Sequence, residues 1–333
     1  MDPLSDVLSL LKPQNYLSAG MEAAGDWAIQ FPDQTGTIKC GALVTGSCWL
    51  AVEGVDEPVF CATGDAFLLP AGRRFRLASD LAVPPRPASS VFPPAGRGAV
   101  VRVNRIEDGL PAETPQKETA TGGAPESGGS NDKNCLIVSC RFGLAGQHAA
   151  FLTGLLPPIV HLREGAGKAA LRTWVEGMMR ELRDPQPGSS LITQHLAHMI
   201  LVEALRLHVG ATMNGATGWL FALADRQMGA ALRAMHEEPG RRWTLEALAR
   251  EAGISRASFA LKFRQAVGQP PMDYLTRWRM LLASERLAAR VEAVGSIALS
   301  LGYESESAFS TAFKRVMGRA PRKLEVKSSK QVD

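Results

Sequence analysis

Residues 248–271 read LAREAGISRASFALKFRQAVGQPP, and residues 297–321 read IALSLGYESESAFSTAFKRVMGRAP. Ala249, Gly253 and Ile254 match Ala298, Gly302 and Tyr303 at an offset of 49. After one inserted residue, Ser255, Phe259, Phe263, Gly268 and Pro271 match Ser305, Phe309, Phe313, Gly318 and Pro321 at an offset of 50. Each copy predicts a short helix, a glycine turn and a second helix that starts on serine. This is the pattern of a helix-turn-helix, which lays its second helix in the DNA major groove. Gly253 and Gly302 stand where the chain leaves one helix and turns sharply, which favours a residue that tolerates positive φ. Ser255 and Ser305 are placed to cap the helix that follows. Phe259 with Phe263, and Phe309 with Phe313, lie four apart and so share one buried helical face. One such pair of amphipathic helices is common, and two in register are not.

The residues that this pattern leaves outward are the candidate DNA contacts. On the first recognition helix they are Arg256, Ala257, Ser258, Ala260, Leu261, Lys262 and Arg264; on the second they are Glu306, Ser307, Ala308, Thr311, Lys314 and Arg315. Alanine and leucine touch thymine methyls but make no bidentate guanine contact, so base readout leans on a few residues, with Arg256 foremost. Arg264 and Lys314 are assigned to phosphate. Charge separates the chain at the same place. Residues 241–323 carry 15 Lys and Arg against 7 Asp and Glu, whereas residues 1–240 carry 20 against 24. The overall net charge of +4 therefore hides a basic C-terminal module on a slightly acidic body, the electrostatic footprint of a DNA-binding face.

The segment from Trp219 to Arg322 resembles the DNA-binding domain of the AraC/XylS transcription regulators. The run WTLEALAREAGISRASFALKFRQAVGQPPMDYLTRWRM (243–280) is similar to that family's first motif, and SIALSLGYESESAFSTAFKRVMGRAP (296–321) to its second. The resemblance implies two helix-turn-helix units joined by one long helix over about 272–290, entering successive major-groove segments about 34 Å apart. Thr311 stands where the family often carries arginine.

The first 240 residues differ in kind. TIKCGALV, SCWLAVEG, PVFCA, AFLLP and RFRLAS, within residues 36–79, predict consecutive short strands broken by Gly-rich turns. The LVTGSCWLAVEG run (43–54), with Gly64-Asp65 and Leu68-Leu69-Pro70, resembles the cupin-like sensor domain of many AraC-type regulators. Metal-binding cupins use histidines and a carboxylate, but the first histidine here is His148 and Phe75 stands where a second-motif histidine is expected. No metal site and no cofactor are expected, and a barrel free of histidine remains. An organic effector at the barrel mouth is the alternative to no ligand at all. Arg73, Arg74 and Arg76 read as a solvated basic loop rather than an anion site. Cys135 and Cys140 fall on opposite faces of a strand and read as buried structural thiols. Five cysteines without ligand spacing suit a reducing cytoplasm, and no run of 18 apolar residues predicts a membrane span.

The expected architecture is α+β: a cupin-like barrel over 1–145 with a flexible loop at 105–133, a helical linker and dimerisation region over 146–212, an all-α double helix-turn-helix domain over 217–323, and a flexible tail over 324–333. Leu171, Trp174, Val175, Met178 and Leu182, then Leu191 through Val209, predict two amphipathic helices that pack on the barrel or pair with a second subunit. His195 and His198 lack further ligands nearby and read as helix-surface residues. The reading as a whole is a dimeric, effector-responsive transcription regulator that binds double-stranded DNA, meets RNA polymerase and does no chemistry. The alternative is a DNA-repair or modification enzyme with a borrowed helix-turn-helix domain, which would need a reactive cysteine or an active-site motif.

Overall fold

A computed structural model describes residues 2–92, 100–103, 134–144, 156–163, 165, 168–211, 222–223 and 225–321. The loop expected at 105–133 and the tail at 324–333 lie outside the described residues. The chain divides into two compact units. One comprises Asn15–Arg141 with Pro158–Ala204; the other comprises Met1–Gln14, Phe142–Pro157 and Leu205–Asp333.

The first unit is built on two sheets. Its strands are β1 (Gln14–Ala23), β2 (Ala28–Phe31), β3 (Thr37–Thr45), β4 (Ser47–Val52), β5 (Val59–Ala62), β6 (Ala66–Leu69), β7 (Phe75–Ala78), β8 (Arg86–Pro87), β9 (Val100–Val103), β10 (Cys135–Gly143) and β11 (Val160–Leu162). They form a six-stranded sheet in the order β11-β6-β3-β10-β1-β9 and a five-stranded sheet in the order β5-β4-β7-β2-β8. The five strands expected over 36–79 are β3 to β7. Alternation is plain on β4, where Cys48, Leu50 and Val52 turn inward while Ser47, Trp49 and Ala51 do not. Trp27, Ile29, Phe31, Phe67, Phe75 and Leu77 from both sheets meet in the core between them.

The expectation of a barrel without histidine is corrected here. Strand β11 joins the sheet beyond residue 145 and sets His161 directly opposite Phe67. Opposed residues of an antiparallel pair share a face, so His161 shares the face that Phe67 turns to the core. Its Nε2 lies 3.0 Å from Asp65 Oδ2, and the same carboxylate oxygen accepts from the Ala62 N–H. Three residues are too few for alternation to announce a strand, which is why the sequence concealed it. Among the described residues no group of three or more His, Cys, Asp or Glu is placed to hold a metal ion.

All five cysteines are buried free thiols. Burial pushes the Cys61 and Cys135 thiols up to about 12 and Cys140 to about 11, so thiolate is scarce at neutral pH. Arg73 and Arg74 are exposed, whereas Arg76 is half-buried and donates to the carbonyls of Leu81 and Val83, closing that loop. After the short helix α2 (Ala88–Val91), helix α3 (Ala169–Arg183) buries Leu171, Val175, Met178 and Leu182 and packs on β3. Helix α4 (Ser189–Ala211) leaves Leu191, Ile192 and Met199 exposed. His198 Nδ1 donates to the Gln194 carbonyl, an ordinary helix-surface contact.

The described residues of the second unit are mainly helical: besides the ends of β10 and α4 they form α1 (Pro3–Leu11), α5 (Arg226–Glu237), α6 (Leu245–Glu251), α7 (Arg256–Val267), α8 (Pro271–Ala289), α9 (Val294–Ser300) and α10 (Glu306–Met317). The N-terminal helix α1 packs against α5 and α8 although 1–145 reads from the sequence as one barrel. Val7 is buried there, and Lys12 pairs with Glu285 at 2.8 Å. Under α1 lies His236, stacked on Trp278 with ring centroids 3.9 Å apart. Its Nε2 is 2.7 Å from the Tyr274 hydroxyl, and its Nδ1 is 3.4 Å from Asp6 Oδ2.

Candidate DNA interface

The two copies of the repeat fold as their residues demand. Thr244 caps α6 by accepting from the Ala247 N–H. The chain then turns at Gly253 with φ +67° and at Gly302 with φ +80°. Ser255 Oγ accepts from the Ser258 N–H at 3.3 Å, and Ser305 Oγ from the Ala308 N–H at 3.1 Å. These serines fix where the recognition helices α7 and α10 begin. Phe259 and Phe263 touch at 5.5 Å between ring centroids, Phe309 and Phe313 at 5.6 Å, and all four are fully buried. Gly268 and Gly318, both left-handed, end the helices. Helix α8 joins the copies over Pro271–Ala289, close to the expected 272–290.

That packing settles which faces point out. On α7, Arg256, Ala257, Ser258, Leu261, Lys262 and Arg264 are exposed and Ala260 is half-buried. On α10, Ser307, Ala308, Thr311, Lys314 and Arg315 are exposed and Glu306 is half-buried. The candidate contacts therefore gather on the outer surface of each recognition helix, as the periodicity predicts. Several already have local partners. Arg256 Nη1 lies 2.9 Å from Glu246 Oε1 on α6, and Lys262 Nζ donates to Gln227 Oε1 at the start of α5. Thr311 Oγ1 donates back to the Ser307 carbonyl at 3.0 Å, so its hydroxyl hydrogen is engaged within the helix. Glu246 is held below the ordinary carboxylate range, first by its own backbone N–H at the helix start and then by Arg256.

Sequence reasoning missed the braces behind these faces. Arg279 on α8 donates from Nε to the Pro239 carbonyl at 2.6 Å and from Nη2 to the Arg241 carbonyl at 2.8 Å. The same guanidinium lies over the Tyr303 ring of the second turn. Arg286 pairs with Glu292 and donates to Ser300 Oγ, tying α8 to α9. Both are charged residues in a helix that reads as a plain amphipathic connector, and only the loops they reach across give them away.

Comparison with known proteins decides the identity. Residues 2–210 match the cupin family, and residues 248–325 match the helix-turn-helix domain family. An AraC-like transcription regulator of Streptomyces lividans is 39% identical over 322 residues, covering 96% of this chain and 97% of that protein. The chain belongs to the AraC family of transcription regulators. The HTH-type transcriptional regulator AlkR of Acinetobacter baylyi is 26% identical over 327 residues, 97% of this chain and 98% of its own. The DNA-binding domain of AdpA, solved in complex with a target DNA, aligns at 27% identity with a TM-score of 0.29 over 30% of this chain and 90% of that one. The second unit thus carries the DNA-binding helix-turn-helix domain of an AraC-type regulator, and α7 and α10 are the second helices of its two copies. Among the described residues no helix is long and apolar enough to cross a membrane.

The cupin unit of this AraC-type chain also carries a cavity of about 260 Å³, lying between β3, the β5–β6 turn and α3. Val44, Thr63 and Ala66 line one side; Lys168, Arg172 and Glu176 line the other. Lys168 is buried, and its Nζ donates to the Leu162 carbonyl at 2.7 Å.

Proposed function

We propose that this regulator reads double-stranded operator DNA with α7 and α10 in successive major-groove segments, and that it does so as a two-fold dimer that answers to a small organic effector. Arg256 meets a base edge; Arg264 and Lys314 neutralise phosphates; Ala257, Ala260, Leu261 and Ala308 supply apolar contacts; Ser258, Lys262, Glu306, Ser307, Thr311 and Arg315 complete the face. The observation that carries this reading is the paired exposure of these residues behind two buried phenylalanine pairs. The apolar residues left outside on α4, Leu191, Ile192 and Met199, support pairing with a second copy. The cavity beside α3, with two cations and a carboxylate on its wall, suits a small polar effector better than the filled interior of the barrel does. The protein catalyses no reaction, acts in the cytoplasm on its DNA, and works by positioning itself for RNA polymerase.

Footprinting on the DNA flanking the protein's own gene tests this reading. A dimer protects two sites, each about two major-groove segments long. Arg264→Ala is expected to weaken binding to cognate and random DNA alike and to flatten the salt dependence by about one phosphate contact. Protection of a single segment, or an unchanged salt slope, would refute the arrangement.

A further inference from the structure

The lead residues of the two recognition helices differ in charge. Arg256 is the first residue of α7, and its counterpart on α10, at the offset of 50, is Glu306. Glu246, which holds Arg256, has Gly295 as its counterpart at the offset of 49. The spatial relation is the same in both copies: a Cβ built on Gly295 would lie 3.5 Å from Glu306 Oε2. One copy therefore sets an acid, Glu246, beside a cationic lead residue, and the other sets a glycine, Gly295, beside an acidic one.

The Glu246–Arg256 pair is exposed on both sides, so its contribution to stability is small. Its consequences lie elsewhere. A cation already matched by a carboxylate releases few counterions on binding, so Arg256 is a poor phosphate neutraliser. Glu246 engages Nη1 and leaves the Nε and Nη2 edge of the planar guanidinium for a second acceptor pair. Guanine presents such a pair, O6 and N7, on its major-groove edge. A guanidinium oriented before DNA arrives loses less freedom on binding. A carboxylate only accepts hydrogen bonds, so the bases that match Glu306 are those that present an amino group, cytosine or adenine.

We propose that the regulator reads its site with a built-in polarity: Glu246 is a positioning residue that aims Arg256 at a guanine in the segment read by α7, while Glu306 selects an amino-bearing base in the segment read by α10. This rests on the DNA-facing assignment of α7 and α10, and the test separates the two. The full-length protein is used to select duplexes from a pool with a randomised core, and the bound sequences are read. The wild type is expected to enrich guanine at the position led by α7 and cytosine or adenine at the one led by α10. Glu246→Gln is expected to lower the guanine enrichment about 3- to 10-fold without loss of affinity for random-sequence DNA. Arg256→Lys lowers it similarly, because an ammonium lacks the planar fork. The double change Gly295→Glu with Glu306→Arg is expected to move a guanine preference into the second segment. Unchanged guanine enrichment in Glu246→Gln, or the same base at both lead positions in the wild type, would overturn the polarity while leaving α7 and α10 as the DNA-facing helices. Failure to select any sequence would instead overturn that assignment.

Discussion

Acidification should loosen the DNA-binding unit through one imidazole. His236 is enclosed by Trp278, Tyr274 and α1, and burial depresses it from 6.5 to about 3. The folded unit thus holds it neutral, while the unfolded chain takes up a proton below about pH 6.5. Stability is therefore full above that value and is lost as pH falls toward 3, at up to about 1.4 kcal/mol per pH unit. At pH 5 the loss reaches about 2 kcal/mol as a ceiling, since Asp6, 3.4 Å from Nδ1, compensates part of a proton gained there. Asp6 itself is raised by burial, which works in the opposite direction, so the comparison is between variants and not between absolute curves. His236→Gln keeps a polar partner for the Tyr274 hydroxyl and removes the titration. Urea unfolding of the full chain at pH 7 and pH 5 is expected to show the wild type losing stability relative to His236→Gln. Parallel profiles would refute the argument. A wild type that gains on acidification would show that the imidazole is paired as a cation with Asp6.

Two further outcomes follow from packing. Gly302→Ala should cost well over about 2 kcal/mol, because the new Cβ would lie 2.4 Å from the Gly240 carbonyl oxygen at a left-handed φ, whereas Gly253→Ala, with open space around it, should cost only about 1–2 kcal/mol in thermal unfolding. Equal shifts would show that the second turn is not pinned against Gly240. Deleting residues 2–12 from the full chain should cost the C-terminal unit about 2–3 kcal/mol, through the lost burial of Val7 and exposure of the His236–Trp278 face, and an unchanged urea midpoint for that unit would place α1 outside it.

The helix-turn-helix pair was legible because each of its marks answers a local need. A left-handed turn asks for Gly253 and Gly302, a free helix start for Ser255 and Ser305, and one buried face for phenylalanines four apart. β3 to β7 were legible for the same reason, since each is a short apolar run closed by its own turn residues. What escaped was non-local. α1 is nine residues whose partner, α8, begins some 260 residues later, and nothing in PLSDVLSLL says which unit it joins. β11 is three residues long, and its histidine acquires meaning only when Phe67 and Asp65 stand beside it. The Glu246–Arg256 pair spans ten residues across a turn, outside the three-to-four spacing by which helical ion pairs are found. Arg279 bridges from the connector helix to carbonyls about 40 residues earlier, and only the folded loop reveals it.

The same contrast accounts for what the two copies share and where they part. Positions that the fold constrains agree: both turns take glycine, both caps take serine, both cores take two phenylalanines. Positions that face outward diverge, with Arg256, Leu261 and Arg264 against Glu306, Thr311 and Lys314. Agreement at the inner positions gives the two helices the same length, caps and buried face, so on the proposed reading each offers its lead residue to DNA in the same way. On the proposed reading, divergence at the outer positions makes the domain directional, because a scaffold that carries a donor at one end and an acceptor at the other fits a given site in one orientation only. A single domain so built does not need a palindrome to fix its heading. On the proposed reading, two-fold character in the full operator comes from pairing of two chains, for which Leu191, Ile192 and Met199, exposed on α4, are the proposed surface.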